Sequence, residues 1–151
     1  MSEPAEARRS KFKVSWRGWL ALLATLGVIG VVVFPLYGDY THLAQNSEAI
    51  TLMASARTPL SEYFQNHEKW PENLDNVVDN TSGKFTKSVG ITKGAGGAGE
   101  IELTATMRTE GVDRRVAGKT ILMVSPDGGK NWTCKRGTMQ DKHLPSGCRT
   151  N

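Results

Sequence analysis

Residues 19–37, WLALLATLGVIGVVVFPLY, form the stretch on which the fold and the function of this chain depend. These nineteen residues include no charged side chain, and eleven of them are Leu, Ile, Val or Phe. A helix of this length rises about 28 Å, close to the roughly 30 Å thickness of the hydrocarbon core of a membrane. We therefore predict a transmembrane helix over 19–37, with Trp19 at one membrane interface and Tyr37 at the other.

Two other interpretations of the apolar stretch stay open. A cleaved secretory signal also places positive charge before an apolar run, but its apolar core is usually about 7–15 residues long and a small-residue cleavage site follows it. Here the run is longer and ends at Phe34-Pro35, which favours an uncleaved anchor. A buried helix of a soluble protein is the third interpretation.

The positive charge of the chain is concentrated ahead of the apolar stretch. The 151 residues carry a formal net charge of +4. Residues 1–18 hold five basic and two acidic side chains, a net +3, whereas residues 38–151 hold 14 and 13, a net +1. The positive-inside rule makes residues 1–18 a cytoplasmic, leader-like tail and residues 38–151 an exported domain, periplasmic or extracellular. A domain so close to neutral gives no strong nucleic-acid signal.

The helical pattern continues beyond the apolar stretch. Apolar residues fall on one helix face as far as about residue 65, so the sequence predicts one long helix with a membrane half and an amphipathic half. We expect the amphipathic half to pack on the protein's own sheet. Pro35 and Pro59 each lack a backbone donor, so each is expected to bend or interrupt the helix. The apolar residues of the face are Leu43, Ile50, Met53, Leu60 and Phe64, and the polar residues between them are Gln45, Asn46, Glu48, Ser55 and Glu62.

The rest of the chain predicts a long loop and a set of strands. Residues 66–82 are polar and contain turn-forming residues, which is typical of a loop. Apolar and polar residues alternate over 101–108, which indicates a half-buried strand, and 85–92, 119–125 and 131–135 are further strand candidates. One helix followed by an antiparallel meander is an α+β layer architecture.

Both cysteines lie in the predicted exported part. In an oxidising compartment Cys134 and Cys148 most simply form one disulfide, whose 15-residue loop contributes about 3 kcal/mol in the chain-entropy account. The sequence has no Cys-x-x-Cys pattern, and His42, His67 and His143 are too scattered to predict a metal site.

The sequence contains few patterns that are typical of cofactor binding or catalysis, and none of them is specific. Residues 94–99, GAGGAG, match the dinucleotide-binding pattern in letters, but that pattern requires a strand before it and a helix after it. Because a predicted strand follows, we expect a flexible hairpin loop. No carboxylate pair, Ser-His-Asp arrangement or phosphate-binding loop stands out, so the sequence predicts neither an enzyme nor a cofactor.

Three separate parts of the chain resemble type IV pilins of the type IVa class: the N-terminal helix, its end with the loop that follows, and the C-terminal loop. The matching stretches are FPLYGDYT (34–41) with AQNSEAITL (44–52), EYF (62–64) with NHEKWP (66–71), and WTC (132–134) with LPSGCR (144–149). The resemblance implies the pilin fold, in which a long N-terminal helix packs on a four-stranded antiparallel sheet and a disulfide bounds the C-terminal loop.

The resemblance also implies how the chain would assemble. In pilins the protruding apolar half-helices pack together as the core of a filament, and such filaments serve adhesion, twitching motility and DNA uptake. The corresponding packing residues here are Trp19, Gly27, Gly30 and Pro35, and the two glycines would permit close approach of a neighbouring helix. The implied partners are inner-membrane lipid, other pilins or the pilus assembly machinery, and a second copy of the chain through the N-terminal helix.

The start of the chain departs from the family pattern. Pilin precursors have a leader ending in glycine, then an aromatic residue, and a glutamate at the fifth mature position. Aligned without gaps from Pro35, the glutamate position falls on Gly18; aligned on the candidate processing junction Gly18–Trp19, it falls on Leu23. Residues 7–38 include no acidic side chain, and a buried amine without a partner charge is costly. We therefore expect the junction to stay uncut.

These observations predict a pilin-like protein of the inner membrane, single-pass, with a cytoplasmic N-terminus and a periplasmic domain. Its expected role is that of an unprocessed accessory or modulator of the type IV pilus. One alternative is a genuine major or minor subunit polymerised into a pilus on the cell surface. Another is a periplasmic module that binds a ligand or DNA, against which the near-neutral charge of residues 38–151 argues.

Overall fold

The computed structural model describes residues 15–149, and over 33–39 it describes the helix backbone alone. The chain divides into two compact units, Met1–Tyr37 and Gly38–Asn151. Most of the predicted tail, residues 1–14, lies outside the described residues. The main elements are helix α1 (Trp16–His67) and strands β1 (Thr86–Lys93), β2 (Ile101–Met107), β3 (Thr120–Ser125) and β4 (Thr133–Arg136), and short 3-10 helices cover Leu74–Asn76, Asp141–His143 and Ser146–Cys148.

Helix α1 begins directly after a serine. The Ser15 carbonyl accepts a hydrogen bond from the Trp19 N–H (3.1 Å), and the Ser15 hydroxyl accepts one from the Gly18 N–H (3.4 Å). Serine is favoured at this position because its oxygen atoms satisfy the backbone donors of the first turn. Among the described residues, no helix combines the length and the apolarity needed to cross a membrane. The transmembrane segment over 19–37 stays a prediction.

Of the two effects expected of Pro35 and Pro59, an interruption of the helix is wrong, because α1 continues from Trp16 to His67; a bend stays a prediction. Around Pro59 the physical reason is packing. Ala56 and Leu60 are fully buried, and the burial of this face offsets the backbone hydrogen bond that the proline cannot donate.

The strands form one antiparallel sheet in the order β1-β2-β3-β4, and the α+β prediction is confirmed. Strand β2 lies inside the sheet and alternates as the sequence predicted. Its side chains at Ile101, Leu103, Ala105 and Met107 are fully buried, whereas those between them are partly exposed. This alternation gives the sheet one apolar face.

The core of the Gly38–Asn151 unit forms where α1 covers that apolar face. Ala49, Met53, Ala56 and Leu60 are fully buried and belong to one cluster with the inward residues of β2 and with Ile121 and Met123 of β3. Of the predicted helix face, Ile50 and Phe64 are partly buried against the same cluster, and Leu43 is only partly covered. The helix side of this core alternates small and large residues, which lets the helix lie close to the sheet.

The glycine-rich segment is the hairpin loop between β1 and β2, as expected. Gly94 has φ +86°, and a Cβ there would collide with the Glu100 carbonyl, so this turn requires glycine. The buried Trp70, which follows the last residue of α1 by three positions, holds the loop through two hydrogen bonds. Its backbone N–H donates to the Gly97 carbonyl (2.7 Å) and its indole N–H to the Gly99 carbonyl (2.7 Å).

Candidate functional site

The first described turns of α1 present a broad apolar surface. Between Trp16 and Val32 the large apolar side chains are each more than half exposed. Soluble proteins rarely expose contiguous apolar surface of this kind unless it contacts a membrane or another protein. Within this unit the surface is made by Trp16, Trp19, Leu20, Leu22, Leu23, Leu26, Val28, Ile29, Val31 and Val32.

The small residues on this surface leave room for a neighbour. Gly27 and Gly30 are three residues apart and therefore share a helix face. No described atom outside the local helix backbone lies within 4 Å of the Cβ position of either glycine. The candidate junction Gly18–Trp19 lies in the first turn of α1, which Ser15 caps. The side chain of Pro35 lies outside the described part of the structure.

In the second unit, Glu48 joins α1 to the start of β1. Its carboxylate accepts hydrogen bonds from the backbone N–H groups of Lys84 (3.1 Å), Phe85 (2.8 Å) and Thr86 (2.8 Å). Partial burial raises the pKa of Glu48, but these three donors outweigh it and hold the pKa below its ordinary value. Gly83 permits the approach, because a Cβ at that position would collide with the Glu48 carboxylate.

A second polar contact joins α1 to the loop between β2 and β3. The Asp113 N–H donates to the Gln45 side-chain oxygen (2.9 Å), and Gln45 is buried. Asp113 in turn accepts two hydrogen bonds from the Arg115 guanidinium, at 3.0 and 2.8 Å, and one from the Arg115 N–H (2.8 Å). The guanidinium and this N–H lower the pKa of Asp113 to about 2. The carboxylate therefore stays ionised and holds Arg115 within the loop, while the Asp113 N–H joins the loop to the helix.

A third contact joins α1 to the C-terminal segment. The fully buried Asn46 donates to the His143 carbonyl (2.7 Å), and the His42 and His143 rings meet edge to face with their centroids 4.6 Å apart. Burial lowers the pKa of His143, and electrostatic repulsion from His42, Lys142 and Arg115 lowers it further. His143 is therefore neutral near pH 7.

The C-terminal segment is closed by the predicted disulfide. Cys134 of β4 and Cys148 are bonded, with their Cα atoms 4.6 Å apart, and Cys148 is buried. Met139 and Leu144 are buried inside the closed loop, and the Arg149 side chain donates to the Leu144 carbonyl (2.9 Å). The disulfide and these apolar anchors hold the segment against β4 and the helix.

Comparison with known proteins places this architecture in a family. The model of the family described as "Pilin (bacterial filament)" matches residues 44–149. The chain belongs to the pilin family. The match includes all four strands, the polar contacts at residues 45–48 and both cysteines, so it covers the folded unit described above.

Individual relatives extend the similarity towards the N-terminus of this pilin. It is 33% identical over 155 aligned positions to the type IV major pilin protein PilE1 of Neisseria gonorrhoeae, covering 87% of this chain and 90% of that protein. It is 34% identical to the fimbrial protein EcpC of Eikenella corrodens, covering 86% and 85% of the two chains. It is also 32% identical to a fimbrial protein of Neisseria meningitidis serogroup A, covering 86% and 89%.

The pilin structure corrects the sequence analysis at the polar residues of α1. Gln45 and Asn46 were counted with the polar residues between the apolar positions, but both are buried and bonded to distant parts of the chain. Glu48 has a similar linking role. A signal for Asn46 was present in the spacing, because Asn46, Ala49 and Met53 continue one inward-facing row with steps of three and four residues.

Proposed function

We propose that this pilin uses the apolar surface at the start of α1 to lie in the inner membrane and among the helices of other pilins. The single observation that carries the proposal is the row of exposed large apolar side chains between Trp16 and Val32. An apolar helix can exchange lipid for a neighbouring helix at little cost, and the open face at Gly27 and Gly30 suits close packing. The folded unit, residues 38–151, would then lie on the periplasmic side, and the role is not enzymatic.

We further propose that the chain acts as an unprocessed accessory or modulator of the type IV pilus, affecting assembly, adhesion, twitching motility or DNA uptake. The support is local to the candidate junction. Gly18 and Trp19 are inside a capped helical turn, so a peptidase would have to open that turn first. In that alignment the glutamate position of pilins holds Leu23, which is exposed and apolar.

The mass of the N-terminal peptide of the protein isolated from membranes tests this role. Retention of residues before Trp19 is expected. A mature chain that begins at Trp19 or at Val14 would overturn the unprocessed role, because both positions follow from the alignments with pilin precursors. A variant with Leu23→Glu is the matched control, since it restores the acidic residue and leaves the folded unit unchanged.

The second candidate function is a major or minor subunit that polymerises into the filament. The same apolar surface favours it, because an apolar helix can pack against neighbouring helices in a filament as well as against lipid in a membrane. Sheared pili separate the two roles: the accessory role predicts that the chain stays with the membrane fraction, and the subunit role predicts that it appears in the sheared filaments. Substituting Gly27 by leucine should reduce incorporation in the second case, since the larger side chain holds neighbouring helices apart.

A further inference from the structure

We propose that protonation of His143 in mild acid releases the C-terminal segment, residues 134–148, from helix α1. The segment and the part of α1 that it contacts lie entirely within the folded unit Gly38–Asn151. The proposal therefore goes beyond the proposed function and does not depend on membrane anchoring or assembly.

His143 is the residue through which the segment contacts α1. It is the last residue of the 3-10 helix Asp141–His143. Its carbonyl accepts the hydrogen bond of the Asn46 side chain (2.7 Å), and its ring meets the His42 ring edge to face. The next residue, Leu144, is fully buried. A displacement of His143 therefore breaks both contacts with α1 and pulls at an apolar anchor of the segment.

The closed segment has no acceptor for a second proton on this ring. His143 is 6% exposed, and its Nδ1 atom is buried without a hydrogen-bond partner among the described residues. A neutral ring leaves one nitrogen without a proton, but a protonated ring carries an N–H at both nitrogens. The Nδ1–H of the cation is then a buried donor without an acceptor, which is costly. Water accepts the same hydrogen bond once the segment has moved away.

The charges around the ring also disfavour its protonation. The titratable and charged groups that face it are His42 of α1, Asp113 and Arg115 of the β2–β3 loop, and Lys142 of the segment itself. Burial lowers the pKa of His143 most, and repulsion from the positive neighbours lowers it further. Asp113 acts in the opposite direction, but its carboxylate is bonded to Arg115. Asp141 of the same 3-10 helix pairs with Arg136 (3.4 Å).

The pH range of the release follows from the two forms of the segment. The pKa of His143 has its ordinary value of 6.5 when the segment is open and is lower when it is closed. The stabilisation of the closed form is complete above the ordinary value and is lost as the pH falls through the closed-state pKa. Within this range the equilibrium constant for opening should rise by up to about tenfold per pH unit, because opening takes up one proton.

The disulfide makes the release reversible. Cys134 belongs to β4 and is bonded to Cys148 at the far end of the segment, and mild acid does not break this bond. The open segment is therefore a loop with both ends held in place, and its closure is intramolecular. Opening exposes Met139, which is 2% exposed in the closed segment.

Peroxide oxidation of methionine measures the opening, because a buried thioether reacts only when it becomes accessible. The full chain in a non-ionic detergent is treated with dilute hydrogen peroxide at pH values from about 8 to 5.5, and peptide masses give the rate at each methionine. Oxidation of Met139 should accelerate about threefold or more between pH 7.5 and 5.5. Met107 of β2, which is fully buried, is the internal reference and should react at one rate throughout. A sample returned from pH 5.5 to 7.5 before peroxide is added should react slowly again.

Substitutions assign the effect to one ring. His143→Phe keeps an aromatic ring of similar size and cannot take up a proton, so Met139 should react at a rate independent of pH; His143→Gln is a second non-titrating variant. His67→Gln, at an exposed histidine of the same helix, is the matched control and should behave like the parent. The proposal is overturned if the acceleration persists in both His143 variants. Parallel acceleration at Met107 would overturn it too, because the whole unit would then be unfolding.

NMR of the unsubstituted chain gives a test that needs no variant. The His143 ring should titrate with a midpoint below 6.5. The Asn46 side-chain N–H groups, one of which donates to the His143 carbonyl, should lose protection from exchange with water over the same pH range in which Met139 becomes reactive. A His143 midpoint at or above 6.5, or protection of Asn46 that is independent of pH, would overturn the proposal. Neither outcome would affect the proposed pilus role, which rests on the apolar surface at the start of α1.

Discussion

Replacing Glu48 by glutamine should weaken the hydrogen bonds that join α1 to the start of β1 and so lower the free energy of unfolding. In the native protein one carboxylate accepts three backbone N–H groups, those of Lys84, Phe85 and Thr86. Glutamine keeps the size of the side chain and one acceptor oxygen, but it loses the negative charge and the second acceptor. Oε2, which accepts from Lys84, becomes an amide nitrogen that faces a backbone donor.

The expected cost follows from the number and kind of bonds. Hydrogen bonds to a charged group contribute about 1.5–3 kcal/mol each, and neutral ones about 0.5–1.5 kcal/mol. The Glu48→Gln change removes the bond to Lys84 and converts those to Phe85 and Thr86 from charged to neutral. Since Glu48 is only partly buried, water compensates part of the loss, and we expect a decrease of about 2 kcal/mol in the free energy of unfolding.

The pH dependence has a definite sign. The pKa of Glu48 is held below its ordinary value of 4.5 in the folded chain. The stabilisation is therefore complete above about pH 5 and is lost as the pH falls through the folded-state pKa. The Glu48→Gln variant should be less stable than the parent at pH 7, and the difference should shrink below pH 4.

Urea unfolding of the full chain in a non-ionic detergent gives the free energy, and amide hydrogen exchange at Lys84, Phe85 and Thr86 gives the local effect. These three amides should exchange faster in Glu48→Gln, because their acceptor is weakened. Glu62→Gln, an exposed glutamate on the same helix, is the control for a general charge effect. A loss under about 0.5 kcal/mol, or equal losses in the two variants, would refute the account of Glu48 given above.

Three further changes test other parts of the fold. Replacing Cys134 and Cys148 by serine should lower the free energy of unfolding, measured in urea, by about 3 kcal/mol. Adding a reductant should lower the free energy of unfolding of the parent and leave that of the variant unchanged. Asp113→Asn should cost about 1–2 kcal/mol at pH 7; because the folded pKa is about 2 against an ordinary 3.8, the difference should disappear between pH 4 and pH 2, and a constant difference would contradict the ion pair. Leu60→Ala should cost about 2–5 kcal/mol, since Leu60 is fully buried; thermal unfolding measures it, and Leu23→Ala on the exposed surface should leave the transition of the folded unit in place.

The parts of the fold that the sequence predicts are those set by local pattern. Strand β2 alternates at Ile101, Leu103, Ala105 and Met107, and a period of two is visible in seven residues. The disulfide follows from having two cysteines in the part of the chain that the sequence predicts to be exported, although spacing alone does not show that the loop between them is anchored by Met139. In both cases the feature can be predicted from a short stretch of sequence, without knowing which distant residues contact it.

The polar contacts of α1 could not be predicted in the same way, because their partners are far along the chain. Asn46 meets a carbonyl 97 residues away, Gln45 an N–H 68 residues away, and Glu48 donors 36 to 38 residues away. In a local window these residues resemble an ordinary solvated face. Burial of a polar side chain is favourable only when its partner is in place, and that condition belongs to the tertiary structure.

These distant contacts also fix the register of α1 on the sheet. The inward row Ala49, Met53, Ala56 and Leu60 repeats small and large apolar residues every seven positions, so a shift of two helical turns would again place small residues on small and large on large. The same shift moves each side chain about 10.5 Å along the axis and would break the hydrogen bonds of Asn46 and Glu48. Because an unpaired buried polar group costs more than a bond between paired groups gains, the displaced register is penalised although its apolar contacts survive. We infer that the apolar row drives the helix onto the sheet, and that Asn46 and Glu48 select the one position it adopts.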